Sequence, residues 1–246
     1  MRDAASFLKR ADWLTRKRVR GYGVMLGIAS LALFIASYFA AMGADGTDFL
    51  AFWGAGHVTA AGNPVLAYDL GVQEQVQTGT GSTGWFAFVN PPPFLFVATP
   101  FGALPFPAAW LAWVIVTFGL WAWAAIRGFP RFWLLVLIYP GALLAAGHAQ
   151  TGLLTGALLV GCVALVGKRP IAGGALLGAL IIKPHLALLV PFWLAAGGRW
   201  KAFIAAGCSA VGLVLASWAV FGTQVMLAYT SSWQASAAIM AGDDVE

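Results

Sequence analysis

Two charged residues stand where charge is costly. Asp48 lies in Gly46-Thr47-Asp48-Phe49-Leu50-Ala51-Phe52-Trp53, and Lys183 stands alone in the apolar run from Pro170 to Gly198. Ionisable groups within membrane segments are expensive and mark sites or pathways. A carboxylate can serve as a general base, and an ammonium can neutralise phosphate charge as it develops. Each also has a bland reading. Asp48 or Thr47 suits the N-cap of the helix that follows, and Lys183 can snorkel to an interface. His185, two residues after Lys183, and a helix N-terminus at that point add donors for a phosphate. Gly147-His148-Ala149-Gln150 is either a polar turn or a donor set, through His148 and Gln150, for a sugar or phosphate. Asn63-Pro64, with Tyr68 after it, reads first as a helix break and restart. Asp45 and Asp48 form a D-x-x-D pair with no third carboxylate nearby, so a divalent metal is weakly supported and no metal ligand is assigned.

The elements that must hold these residues are membrane helices. Charged residues make up 9% of the 246-residue chain, against about 25% in a soluble domain, so most of the surface faces lipid. Apolar stretches recur from Tyr22 to Met240, which predicts an all-α, polytopic membrane protein. The net charge of +5 resides largely in basic clusters between apolar stretches. That pattern marks cytoplasmic flanks and anionic lipid, not nucleic acid. Cys162 and Cys208 both fall inside apolar stretches, and they read as small packing residues rather than a disulfide or metal framework.

Charge also sets the expected topology. Residues 1–21 form a basic, cytoplasmic N-terminus, and Tyr22–Met42 is the first span. Ala41-Met42-Gly43 resembles a cleavage site, but the apolar core exceeds the ~7–15 residues of a signal peptide, which favours an uncleaved anchor. Residues 43–106 then form a large outer loop with juxtamembrane helices, in which Asn90–Leu104, headed by three prolines, is a re-entrant or surface helix. Phe106–Ile126 returns to the inside. As single helices, Phe132–Gly167 would be about 54 Å long and Pro170–Gly198 about 43 Å, beyond the ~30 Å hydrocarbon core. The first must turn back at Gly147–Gln150. The second reads as two short helices meeting at Lys183-Pro184-His185, or as one long kinked helix. Ala202–Phe221 is the last of about seven spans across residues 107–221 and the N-terminal anchor, and residues 222–246 are an outer tail. Asp48, His57, His148, Gln150, Lys183 and His185 then share the outer side. Gly152/Gly156 and Gly174/Gly178 suit close helix packing. The sequence lacks the Walker A, dinucleotide, zinc-protease and serine-elbow motifs, so those chemistries lose support.

Taken in order, the motifs resemble glycosyltransferase family 87. The resemblance rests on Asp48-Phe49 with Ala51, Phe52 and Trp53, on Gly62-Asn63-Pro64 with Tyr68, and on Asn90-Pro91-Pro92-Pro93. It continues through Gly147-His148-Ala149-Gln150, Ile182-Lys183-Pro184-His185 and Gly198-Arg199-Trp200-Lys201. The resemblance implies a single GT-C-like domain in an inner (plasma) membrane, with an extracytoplasmic site. It further implies a polyprenyl-phosphate sugar donor, often mannose, a lipid or glycan acceptor, and inversion at the anomeric carbon. Asp48 would be the base, and Lys183 with His185, His148 or Gln150 would hold the departing phosphate. Trp53, Asn63, Tyr68 and Asn90 would contact substrate. The chain departs from the family pattern at Asn90, where a tyrosine is usual. The resemblance also implies helices beyond Phe221, which suggests a truncated or split chain or a partner chain that supplies them.

Two readings compete. A transporter or lipid-linked sugar scramblase would use the breaks at Lys183-Pro184 and the proline-rich hairpin as a path, but no inverted repeat is visible. A non-catalytic subunit is the third.

Overall fold

The computed structural model describes residues 15–43 and 46–241, with residues 233–241 described by backbone only. Arg2, Lys9, Arg10, Asp45 and the acidic C-terminal end lie outside the described residues, so the D-x-x-D pair is not described as a pair. Among the described residues every regular element is helical.

Helix α1 (Arg16–Ala41) starts earlier than the expected Tyr22, and Arg16, Lys17, Arg18 and Arg20 form its opening turns. Thr15 sets that start: its hydroxyl accepts from the Arg18 amide at 3.3 Å. Its flanks are exposed and apolar, at Met25, Ile28, Leu31 and Phe39, as a lipid-facing helix requires. Phe34 and Tyr38 hold it to Trp110, with ring centroids 5.6 and 5.4 Å away.

The segment expected to be the outer loop folds into the core of the protein. Helix α2 (Phe49–Ala60) is buried from Phe49 to Gly56. A 3-10 turn (Pro64–Tyr68) and helix α3 (Leu70–Thr78) follow. Asp69 caps α3 by accepting from the Val72 amide at 3.0 Å. After an extended stretch come a 3-10 turn (Pro92–Phe94) and helix α4 (Leu95–Gly102), which is too short to span and packs on α2. Glycines permit that approach: a Cβ on Gly102 would fall on the backbone of Gly56 and His57, and one on Gly56 would fall on the Ala98 carbonyl. Phe49, Phe52 and Phe94 close around Trp113 of α5 (Phe106–Gly128), with centroids 5.6–6.1 Å from its ring.

Beyond α5 the helices break where the sequence turns polar or carries proline. Helices α6 (Trp133–Leu137) and α7 (Pro140–Gly147) belong to one apolar segment bent by 46°. Pro140 explains the bend, since proline removes an amide donor and pushes the preceding residue out of the helical region. The turn at 148–151 separates α7 from α8 (Gly152–Leu165). Then come α9 (Pro170–Gly178) with a 3-10 extension to Ile182, α10 (Pro184–Ala187), α11 (Val190–Ala196) and α12 (Trp200–Phe221). Gly174 and Gly178 lie against the carbonyls of Ala202 and Ala206, so α9 and α12 meet backbone to backbone. Cys162 is buried, whereas Cys208, expected to pack inside, is exposed on α12.

Three described helices are long and apolar enough to cross a membrane: α1, α5 and α12. The bent pair brings the number to four. The expected seven would require α8, α9 with its extension, and α10–α11 to cross as well. Each has only 10–17 residues, and the 14 residues of α8 rise about 21 Å, short of a ~30 Å core. The expected tail is also a helix: after Gly222 at φ +86°, α13 (Thr223–Ala241) returns to the Pro64–Tyr68 turn. Phe221 packs against Phe96 with tilted rings 4.8 Å apart, and Tyr229 meets Tyr68 at 5.7 Å.

Candidate active site

Asp48 stands at the N-terminus of α2 but does not cap it. Its backbone is already helical (φ −52°, ψ −20°), and its carboxylate makes no bond to the helix amides. That carboxylate instead accepts a hydrogen bond from Nε2 of Gln150, 102 residues along the chain. The bland reading of Asp48 as a helix cap is thereby replaced by a tertiary contact.

Gln150 is presented by a strained turn. The Gln150 amide reaches back to the Ala145 carbonyl at 3.0 Å and the Ala149 amide to Ala146 at 2.9 Å, the bonding pattern that closes a helix with a left-handed residue. Glycine usually takes that position, but here it is Ala149, at φ +47°. Such a conformation costs a non-glycine residue roughly 1–2 kcal/mol. The next residue, Thr151, is buried, and its hydroxyl accepts from Nζ of Lys183 at 2.8 Å. Consecutive residues of one turn therefore hold the carboxylate and the ammonium. Among the described residues the two charges form no direct ion pair with each other.

Lys183 is half-buried and turned inward, not snorkelling outward. Pro184 sets its place: the residue before a proline is driven from helical to extended geometry, and Lys183 sits at φ −144°, ψ 75°. The break frees the Ile182 carbonyl, which accepts from Nδ2 of Asn90 at 3.3 Å. The carbonyl of Asn90 in turn accepts from the Tyr68 hydroxyl at 2.9 Å. Burial, with Tyr229 adding to it, holds the Tyr68 phenol well above its ordinary pKa, so this hydroxyl remains a donor.

These elements enclose a cavity of about 320 Å³, whose walls include Asp48, Phe52, Phe86, Asn90, Lys183 and His185. Two contributors escape notice in the sequence. Thr151 reads as an ordinary helix start. Gln77 reads as surface, yet it is fully buried. Its Nε2 donates to the Phe86 carbonyl and its Oε1 accepts from the Phe86 amide, both at 2.9 Å. This clamp fixes the extended stretch that forms one wall. The only available signal was the Gln73/Gln77 pair at four-residue spacing, one turn apart on the same helix face.

Other expected site residues lie elsewhere. Trp53 is buried with its indole donating to the Leu104 carbonyl at 2.9 Å, and it stacks on His57 at 5.0 Å. His57 is tied to the Gly102 carbonyl at 3.0 Å. Asn63 is exposed and donates to Ala61 in its own loop. His148 is exposed, with Nδ1 2.9 Å from the Leu144 carbonyl of its own helix. None of these four lines the cavity, because the bonds of each go to backbone outside it. Tyr68 acts from behind the wall, through Asn90. Among the described residues no three of His, Cys, Asp and Glu converge as a metal-ligand set.

The model of glycosyltransferase family 87 matches residues 88–245. No curated protein and no solved structure matches the chain. The matched stretch includes Asn90, Gln150, Thr151, Lys183 and His185, whereas Asp48, Trp53, Asn63 and Tyr68 precede it. With well over half its length matched and its apolar helices built to cross a bilayer, the protein belongs to glycosyltransferase family 87 and is a membrane glycosyltransferase.

Proposed function

We propose that the protein transfers a mannose-like sugar from a polyprenyl-phosphate donor to a hydroxyl of a lipid or glycan acceptor, with inversion, at the outer face of an inner (plasma) membrane. The observation that carries this reading is the Gln150-Thr151 turn, which holds Asp48 and Lys183 at one cavity. Asp48 takes the proton of the acceptor hydroxyl as its oxygen attacks the anomeric carbon. The bond from that carbon to the donor's phosphate oxygen breaks, and the phosphate leaves with the electron pair. Lys183, with His185 beside it, stabilises that charge in a poorly hydrated site. Gln150 orients the carboxylate, and Phe52 and Phe86 offer apolar faces to the sugar and the start of the lipid chain. The positive-inside distribution of arginine and lysine supports the outer placement.

The test is sugar transfer from polyprenyl-phosphate mannose in membranes holding the full chain. Asp48→Asn and Lys183→Ala should each lose transfer at unchanged expression. Full transfer by Asp48→Asn removes this mechanism. Cysteine labelling separates chemistry from topology: Thr83→Cys should react from outside and Gly167→Cys should not.

A further inference from the structure

A second, larger hollow lies away from the site just described. It has a volume of about 640 Å³ and runs between α5, α8 and α9. Its walls are apolar, with Leu120, Leu154, Leu158 and Leu176 among them. Both of its charged residues, Arg127 and Arg169, gather at one end. Arg127 is in the last turn of α5, and Arg169 immediately precedes α9. The Leu165 end of α8 lies there too: Gly128 faces Ala164, and the Arg169 amide donates to the Leu165 carbonyl at 2.6 Å.

From Leu154 to Leu165 the groove follows about 16 Å of helix rise, close to half of a ~30 Å hydrocarbon core. Its depth therefore matches one leaflet. Among the described residues no carboxylate pairs with either arginine. The Arg127 guanidinium lies over the Trp123 ring, 5.6 Å from its centroid, and Trp123 is itself exposed beside the groove. Tryptophan with arginine at the end of a membrane helix is the composition of an interface belt. Planar guanidinium groups bind phosphate through paired hydrogen bonds.

We infer that this groove binds one anionic diacyl phospholipid, with an acyl chain along α8 and the headgroup phosphate between Arg127 and Arg169. A free phosphate would leave the apolar wall bare, and a zwitterionic lipid would leave its ammonium beside two guanidinium groups. The lipid occupies a place distinct from the Asp48–Lys183 cavity, and the inference does not depend on the sugar or donor used there.

The test titrates dioleoyl-phosphatidylglycerol and dioleoyl-phosphatidylcholine onto the detergent-purified full chain and counts bound lipid by native mass spectrometry. One phosphatidylglycerol should bind in preference to phosphatidylcholine. Arg127→Gln with Arg169→Gln should weaken it by about 30-fold, taking the usual surface contribution of each arginine to anionic-lipid binding. Ala157→Phe, which fills the groove and keeps both arginines, should also weaken it. Unchanged melting temperatures separate these effects from misfolding; if either variant melts early, Arg127→Lys with Arg169→Lys, which keeps both charges but not the paired hydrogen bonds, should still prefer phosphatidylglycerol to phosphatidylcholine. Three results overturn the proposal: equal binding of both lipids, full displacement by inorganic phosphate, or undiminished binding in the arginine double variant. A dimer that dissociates in Ala157→Phe with no change in bound lipid would also overturn it, by making the groove a protein interface.

Discussion

The Asp48–Lys183 cavity and the Arg127–Arg169 groove both set cations against apolar walls, yet they are built in opposite ways. In the cavity the charges are already engaged: Lys183 is held by Thr151 and Asp48 by Gln150. In the groove the arginines stand at helix ends, where Arg127 lies over the Trp123 ring and, among the described residues, neither arginine meets a carboxylate. The difference is the one expected between the proposed catalytic site and the proposed lipid-docking surface. Fixed dipoles aimed at developing charge assist a reaction because they need not reorganise. In the proposed groove, guanidinium groups at a lipid interface would meet a headgroup and leave the apolar wall to provide most of the contact.

This contrast can be broken at several points. The largest effect is expected at Asp48→Asn, which should lower the transfer rate about 10²–10⁴-fold, the usual range for a lost general base. Single-turnover transfer in membranes measures it, and a loss below tenfold would mean that the carboxylate is structural. Next comes Lys183→Ala, expected to cost about 10²–10³-fold in kcat with little change in acceptor KM, as for other groups that act on transition-state charge. A variant changed mainly in KM would instead place Lys183 in ground-state binding. Third is Gly102→Ala, which should destabilise the fold by about 1–3 kcal/mol through overpacking against Gly56 and His57. Thermal unfolding in detergent reports it, and an unchanged melting temperature would show that α2 and α4 can separate freely. The smallest is Tyr68→Phe, worth about 0.5–1.5 kcal/mol for one hydrogen bond. The folded state raises the Tyr68 pKa, so its stabilisation is fully present below the unfolded value near pH 10 and is lost as pH rises further. The wild type should show that alkaline loss and Tyr68→Phe should lack it.

Much of the helix plan was legible in the sequence. The breaks at Gly147–Gln150 and at Lys183-Pro184 follow from segments too long for one crossing and from proline's effect on its neighbour. The close approach of α9 to α12 was carried by Gly174 and Gly178, since only small residues let two backbones meet. The bend before Pro140 was equally available from proline chemistry but was passed over within one apolar run. Helix α13 was missed because Thr223–Ala241 follows the last apolar span and is less apolar than α12, and only its packing on the Tyr68 turn reveals its role.

The site was legible as residue types and not as contacts. Apolar surroundings drew attention to Asp48 and Lys183 because an isolated charge among greasy residues needs a reason. Trp53, Asn63 and His148 also drew attention, yet Asn63 and His148 bond backbone within four residues and Trp53 bonds the Leu104 carbonyl away from the cavity. Hydrogen bonds between residues 32 or 102 positions apart leave no local pattern to read. By itself the sequence determined a helical membrane chain, its breaks and its two unusual charges, because hydropathy and proline act locally. Only the tertiary structure decided that Gln150 and Thr151 join those charges, because which side chains meet depends on how the helices pack.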